Sequence, residues 1–160
     1  MAAAAKTPVE VSITWRGARS WATRAQVQAA VTAAAQTGRT RLRHVSIVFV
    51  PTRQMRRLHR VWLADPSATD VITFDLRDDG EQQEGSCDAE LIVGAEHARR
   101  VAKERGVPAL RELLLYIVHG VLHVCGYDDH TPRDRQAMRR AETRTMRALG
   151  WADDPLPHDD

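Results

Sequence analysis

The 160-residue chain predicts an α/β fold: one domain over residues 1–150, built as a small mixed β-sheet packed with helices, followed by a flexible acidic tail at 151–160. Two observations carry this expectation. Short β-branched runs alternate with stretches of helical periodicity, with no internal repeat and no linker between them. One predicted helix, residues 109–125, is also apolar nearly all round, as a helix at the centre of a domain is, and yet it contains two histidines.

In chain order, residues 9–15 alternate well enough for a strand. Residues 23–36 are alanine-rich and helical, ending near Gly38. Residues 45–50 are a short β-branched run before Pro51 and read as a buried strand. Met55, Leu58 and Trp62 give residues 52–63 a helical spacing. A second strong strand signal spans 70–76, and a polar loop fills 78–86. Residues 89–93 form another strand, running into a helix over 95–105 that Gly106 and Pro108 end. The apolar helix follows, carrying Leu113, Leu114, Leu115, Ile117, Val118, Val121 and Leu122. Thr131 then caps a last helix, with Pro132 at its first position and Asp134 three residues after the cap, that reaches about Leu149 and stops at Gly150.

His119 and His123 lie four residues apart on the apolar helix. At about 100° per residue they share one helix face, roughly one turn apart, so both imidazoles can reach a single zinc ion. Gly126 can end the helix in a left-handed conformation and turn the chain back, so that a third ligand can approach from the Asp-Asp-His cluster that follows. The pattern describes a metal site with an open position, the arrangement a hydrolytic enzyme uses. A lone histidine on such a face usually serves the core; two at this spacing, before a turn and an Asp-Asp-His cluster, favour metal. The zinc peptidase motif H-E-x-x-H has the same histidine spacing, with its glutamate as general base. Here that position is Gly120, which has no side chain to move a proton.

The formal charge of +2 does not announce nucleic acid by itself, but its distribution is uneven. Arginines gather at 39–43, 53–60, 99–105 and 133–140, and acids in the 78–84 loop and the 153–160 tail. Such segregation permits a basic face for phosphates, although each cluster taken singly reads as the solvated face of a helix. Two cysteines, Cys87 and Cys125, make no disulfide framework, and neither a secretory signal nor a long apolar span is visible. A cytoplasmic setting without a membrane is expected. Cys125 lies about 120° round the helix from the first histidine and about 160° from the second, so packing is its expected role.

From His119 onward the chain resembles the YbeY family of metal-dependent endoribonucleases, whose pattern there is H-G-x-L-H-L-x-G-Y-D-H. The stretch Thr69-Asp-Val-Ile-Thr-Phe74 resembles the family's T-D-V-L-S-F strand, and Ala89-Glu-Leu-Ile-Val93 its G-[DE]-I-x-I strand. Glu112-Leu113, seven residues before His119, matches the Glu-Leu that opens the metal helix. These motifs stand in family order over residues 45–146. The resemblance implies a zincin-like fold with one zinc ion, and cleavage of single-stranded RNA in ribosomal RNA maturation, notably at the 3′ end of the small-subunit RNA, and in ribosome quality control. Single-stranded or ribosomal RNA and the small ribosomal subunit are the implied partners, with no DNA expected.

Three departures from the family pattern bear on the site. The family's third histidine falls at Asp129, with His130 one residue on. Asp129 aligns without a gap and Met138 then also keeps the family spacing, so Asp129 ranks ahead of His130, the alternative third ligand; carboxylate is an ordinary zinc ligand. The family motif L-N-x-x-Y-R reads Leu58-His-Arg-Val-Trp-Leu63, so the arginine thought to handle RNA is Leu63. Arg60, one turn earlier, is its candidate substitute, against a slightly preferred reading as a solvated surface residue. Ala89 replaces a glycine, a change of local backbone freedom only.

The expected chemistry has zinc on His119, His123 and Asp129 or His130, with bound water whose pKa falls toward about 7; attack by hydroxide and by the RNA's own 2′-hydroxyl both stay open. Asp128 is the candidate catalytic residue, orienting a ligand or moving a proton, with an Asx-type turn as its equal alternative. Glu112 is two turns from the histidines and reads as a salt bridge, and Tyr127 as packing. Two rival functions remain: a metallohydrolase of another substrate class, such as a peptidase, and a ribosome-associated RNA-binding protein whose metal is structural. Peptide cleavage lost on replacing His123 marks the first. A closed shell holding both Asp129 and His130 marks the second.

Overall fold

The structure is a computed structural model that describes residues 8–17, 19–63, 70–77 and 87–151, with the side chains of residues 62 and 63 set aside. The polar loop at 78–86, Thr69, the side chain of Leu63, and the tail beyond Trp151 therefore lie outside the described residues.

Four strands and five helices alternate among the described residues: β1 (Glu10–Trp15), α1 (Arg24–Thr37), β2 (His44–Val50), α2 (Thr52–Leu63), β3 (Val71–Asp75), β4 (Ala89–Gly94), α3 (Ala95–Arg105), α4 (Ala109–Val124) and α5 (Pro132–Ala148). The sheet is mixed, in the order β1-β2-β4-β3. β2 runs parallel to both β1 and β4, and β3 closes the edge antiparallel to β4, with Ile72 opposite Ile92.

Alternation splits the sheet's side chains between two faces. Val11, Val45, Ile47, Phe49, Leu91 and Val93 join the main core with the buried faces of α1, α4 and α5. Val50, Ile72 and Ile92 point the other way and form a smaller cluster with Met55 of α2. α4 is buried from Arg111 to Val124 along most of its circumference, as its composition predicts. Burying a Leu or Ile side chain is worth about 1.5–3 kcal/mol, so this helix is among the most firmly held parts of the fold. Its one interior glycine marks a close approach: a Cβ on Gly120 would lie 2.7 Å from Cδ2 of Leu91 and 3.1 Å from Oγ1 of Thr73. At that point α4 rests almost directly on β4 and β3.

The helix ends are set by local chemistry. Thr23 and Gln26 form a capping box on α1, and the Thr131 hydroxyl accepts from the Asp134 backbone N–H at the start of α5. Three features of the helix ends add to the sequence expectation. α1 ends at Gly38 as expected, and the left-handed residue follows it at Arg39 (φ 51°). Gly38 is small because Cys125 presses on it: a Cβ there would lie 2.6 Å from Sγ. Trp151, expected to begin the loose tail, packs against the core instead. Gly150 (φ 90°) turns the chain so that the Trp151 N–H reaches the Met146 carbonyl at 2.9 Å, the pairing of a Schellman cap with an apolar residue after it. Among the described residues no helix is long and apolar enough to cross a membrane.

Candidate metal centre

His119 and His123 project from the last two turns of α4. Just beyond them the helix stops in a Schellman cap: Tyr127 N–H bonds the Leu122 carbonyl and Gly126 N–H the His123 carbonyl, both at 3.0 Å, with Gly126 at φ 104°. The chain therefore turns back over the histidines. Oδ1 of Asp128 accepts from the Asp129 backbone N–H at 2.8 Å, and the Arg135 guanidinium donates to the carbonyls of Asp129 and His130 at 3.4 and 3.3 Å. These bonds give the short loop a fixed shape.

The result is a triangle of donor atoms. Nε2 of His119 and Nε2 of His123 are 3.0 Å apart, and Oδ2 of Asp129 lies 3.6 Å from the first and 3.4 Å from the second. Zn–N and Zn–O bonds of about 2.0–2.1 Å in a tetrahedron put neighbouring donors about 3.3–3.4 Å apart. The triangle thus has the size of one face of a zinc tetrahedron, and its two imidazoles and one carboxylate are a donor set of catalytic zinc sites. The Asp129 side chain is 42% exposed, so the face of the triangle away from α4 meets solvent.

His130 is elsewhere. Its side chain is 81% exposed and its Nε2 lies 3.2 Å from Oδ1 of Asp128. Asp128, Asp129 and His130 form a second possible metal-holding group, but all three are exposed and neither α4 histidine belongs to it. Asp128 stands outside the histidine triangle, bonded to its own loop. Cys125 packs toward Gly38, Tyr127 lies against the core, and buried Glu112 pairs with Arg105 at 3.3 Å.

One residue of the site was missed from the sequence. Glu142 of α5 is buried, and its Oε1 lies 2.5 Å from Nδ1 of His119. A carboxylate there accepts the Nδ1 proton and leaves Nε2 free to bind metal. Burial disfavours a charge on His119, yet the bonds to Asp129 and Glu142 outweigh it and raise its pKa to about 10 without metal. The same contact with His119, against burial and helped by the charge on His123, lowers Asp129 to about 2. The histidines also have a firm base. Arg77, after β3, donates to the Val124 carbonyl at the end of α4 while paired to Asp75 at 2.7 Å.

Residues 10–150 match the family model described as Endoribonuclease YbeY. The chain is 36% identical over 148 residues to an endoribonuclease YbeY of Rhodopirellula baltica, covering 91% of this chain and 73% of that one. It is 30% identical over 125 residues to the endoribonuclease YbeY of Kineococcus radiotolerans, covering 72% of each. The match to the endoribonuclease YbeY of Myxococcus xanthus, at 33% identity, covers 72% of this chain and 40% of that longer one. In fold, the chain is similar to TM1509 of Thermotoga maritima, solved in solution, with a TM-score of 0.56 at 18% identity over 94% of this chain and 99% of that one.

Proposed function

Because the chain belongs to the endoribonuclease YbeY family, it is a hydrolytic endoribonuclease by membership, and we propose that it cuts single-stranded RNA with one zinc ion held by His119, His123 and Asp129. The observation that carries this reading is the donor triangle with edges of 3.0, 3.4 and 3.6 Å. When bound there, zinc supplies Lewis acidity toward a phosphoryl oxygen and lowers the pKa of a bound water toward about 7.

The protein's own groups do the rest. α4 holds both imidazoles at fixed spacing because it is buried on nearly every side. Glu142 keeps the proton of His119 on Nδ1, so that Nε2 presents its lone pair. Asp128 acts by orienting a ligand: its Oδ1 holds the backbone of Asp129 and so aims that carboxylate. The exposure of His130 and its pairing with Asp128 favour an open fourth position over the closed shell of a purely structural metal. Position 120, packed against Leu91, offers no base for peptide hydrolysis.

In the cell, this reading has the protein act in the cytoplasm on ribosomal RNA, at the 3′ end of the small-subunit RNA and in ribosome quality control, with the small subunit as partner. Free Cys87 and Cys125 agree with a reducing compartment. The test is zinc content and cleavage of single-stranded RNA for wild type, His123→Ala, Asp129→Ala and His130→Ala. Loss of both in the first two variants, with both kept in the last, is expected. Full zinc and full cleavage in His123→Ala defeats the reading.

A further inference from the structure

A second feature with binding chemistry lies away from the donor triangle. A cavity of about 720 Å³ opens where α2 faces α3, lined by Arg53, Arg56, Arg57 and Arg60 of α2 and by Arg100 and Glu96 of α3. Five arginines less one glutamate leave about +4 in its walls, against +2 for the whole chain. α2 contains no acidic residue, so no carboxylate on the same helix offsets these charges. Among the described residues none of its four arginines forms an ion pair. So many like charges around one concavity repel one another and lose that penalty when a polyanion enters.

The backbone points the same way. α2 and α3 start directly after β2 and β4, which are neighbouring parallel strands. Their N-termini therefore lie side by side at the carboxyl end of the sheet, where ligands of open α/β sheets bind and where helix dipoles favour anions. Thr52 and Glu96, from the first turn of each helix, both line the cavity. Guanidinium forks match phosphate oxygens, and Arg53 to Arg60 spans about 10 Å along the helix axis, enough for more than one phosphate. Two helix walls enclose a strand better than they meet a flat bilayer. The cavity also connects to the metal helix: Nη2 of Arg100 is 2.8 Å from Nδ1 of His97, whose ring centroid is 6.1 Å from that of Tyr116, one turn before His119.

We propose that this arginine cavity is a second RNA-binding site, holding backbone phosphates of a single strand while the metal centre acts on another nucleotide of that strand. The proposal rests on the endoribonuclease reading above, and it gives Arg60 a place among phosphate-binding groups instead of on a solvated face.

The test compares Arg53→Gln/Arg56→Gln/Arg60→Gln with an equal loss of charge on the exposed side of α5, Arg140→Gln/Arg144→Gln/Arg147→Gln, in the full chain. Binding of a labelled 20-nucleotide uridine RNA is measured by anisotropy over a range of salt, with zinc and after chelation. The cavity triple is expected to bind at least tenfold more weakly near 0.1 M salt, with the slope of log K against log salt reduced by about 2, since each single-strand phosphate contact contributes about 0.7. The α5 triple should change less than threefold. In cleavage, the cavity triple should raise KM for the 20-nucleotide RNA and leave kcat within twofold. Equal weakening by both triples, or loss of binding to phosphatidylserine vesicles with RNA binding intact, overturns the proposal. RNA binding that needs the cavity arginines in a protein that cleaves no RNA leaves this site standing and defeats the catalytic reading instead. Full cleavage by the cavity triple with KM unchanged does the reverse.

Discussion

Oε1 of Glu142 sits 2.5 Å from Nδ1 of His119, joining the only buried carboxylate of α5 to the first imidazole of the donor triangle. Such a partner fixes the ring's tautomer and orientation and raises its basicity as a ligand. Glu142→Gln keeps the size of the side chain but removes the charge, and zinc affinity should fall about 10–100-fold. Competition against a chromophoric chelator measures it directly. Cleavage at saturating zinc should fall less than affinity does. Unchanged affinity in a folded Glu142→Gln protein would show that the bond serves packing alone.

How much of this was legible in the sequence differs by element. The buried helix, the histidine pair and the turn at Gly126 follow from local pattern, because each depends on residues within a few positions of one another. Strand order does not. Nothing in the periodicity of residues 71–75 says that β3 lies antiparallel beside β4, since that depends on which edges are left to pair. Glu142 looks like one more charge on a charged helix. Yet it falls on the stripe Met138, Ala141, Thr145 and Met146, the core face of α5, and a carboxylate on an apolar stripe was the signal available. Gly38 was legible as a helix stop but not for its cause, which is Cys125, 87 residues away in the chain.

The proposed third ligand turns on a single register step. Asp129 has its Oδ2 within 3.6 Å of both histidine nitrogens, whereas His130 faces Asp128 and solvent. Asp129→Ala should therefore lower zinc affinity by at least 100-fold, and His130→Ala by less than threefold, as read by bound zinc after dialysis at a fixed free concentration; losing one ligand costs more than losing the partner that orients one. Asp129→His should retain zinc, because imidazole is also an ordinary ligand. The opposite ranking of the two alanine variants would move the third ligand to His130.

The charge on His119 makes the effect of metal depend on pH. Without metal its folded pKa is about 10, held there against burial by Asp129 and Glu142, compared with about 6.5 in the unfolded chain. A raised folded value means that this contribution to stability is complete below about pH 6.5 and is lost as pH climbs through about 10. Zinc displaces the proton from Nε2, so binding between these limits releases a proton and becomes more favourable as pH rises. The gap in Tm between zinc-loaded and chelated protein should widen from pH 6.5 to 8.5 at constant free zinc. A constant or narrowing gap would show that His119 is already neutral in the metal-free protein.

Position 120 separates this site from a peptidase in a way that stability can report. A methyl group there meets Leu91, whose side chain is fully buried and has little room to retreat. Overpacking of this kind costs about 1–3 kcal/mol, and replacing glycine with alanine in a helix returns up to about 1 kcal/mol. Gly120→Ala should then lower Tm by a few degrees, since about 1 kcal/mol corresponds to 2–4 °C in a domain of this size. Gly120→Glu writes the peptidase spacing into the sequence, but its carboxylate would be driven into Leu91 and Thr73, where burying an unpaired charge costs several kcal/mol more. Calorimetry should rank the three proteins in that order, with no peptide hydrolysis gained. A Gly120→Ala protein more stable than wild type would mean that Leu91 yields freely, and that the close seat of α4 on the sheet is not what requires glycine.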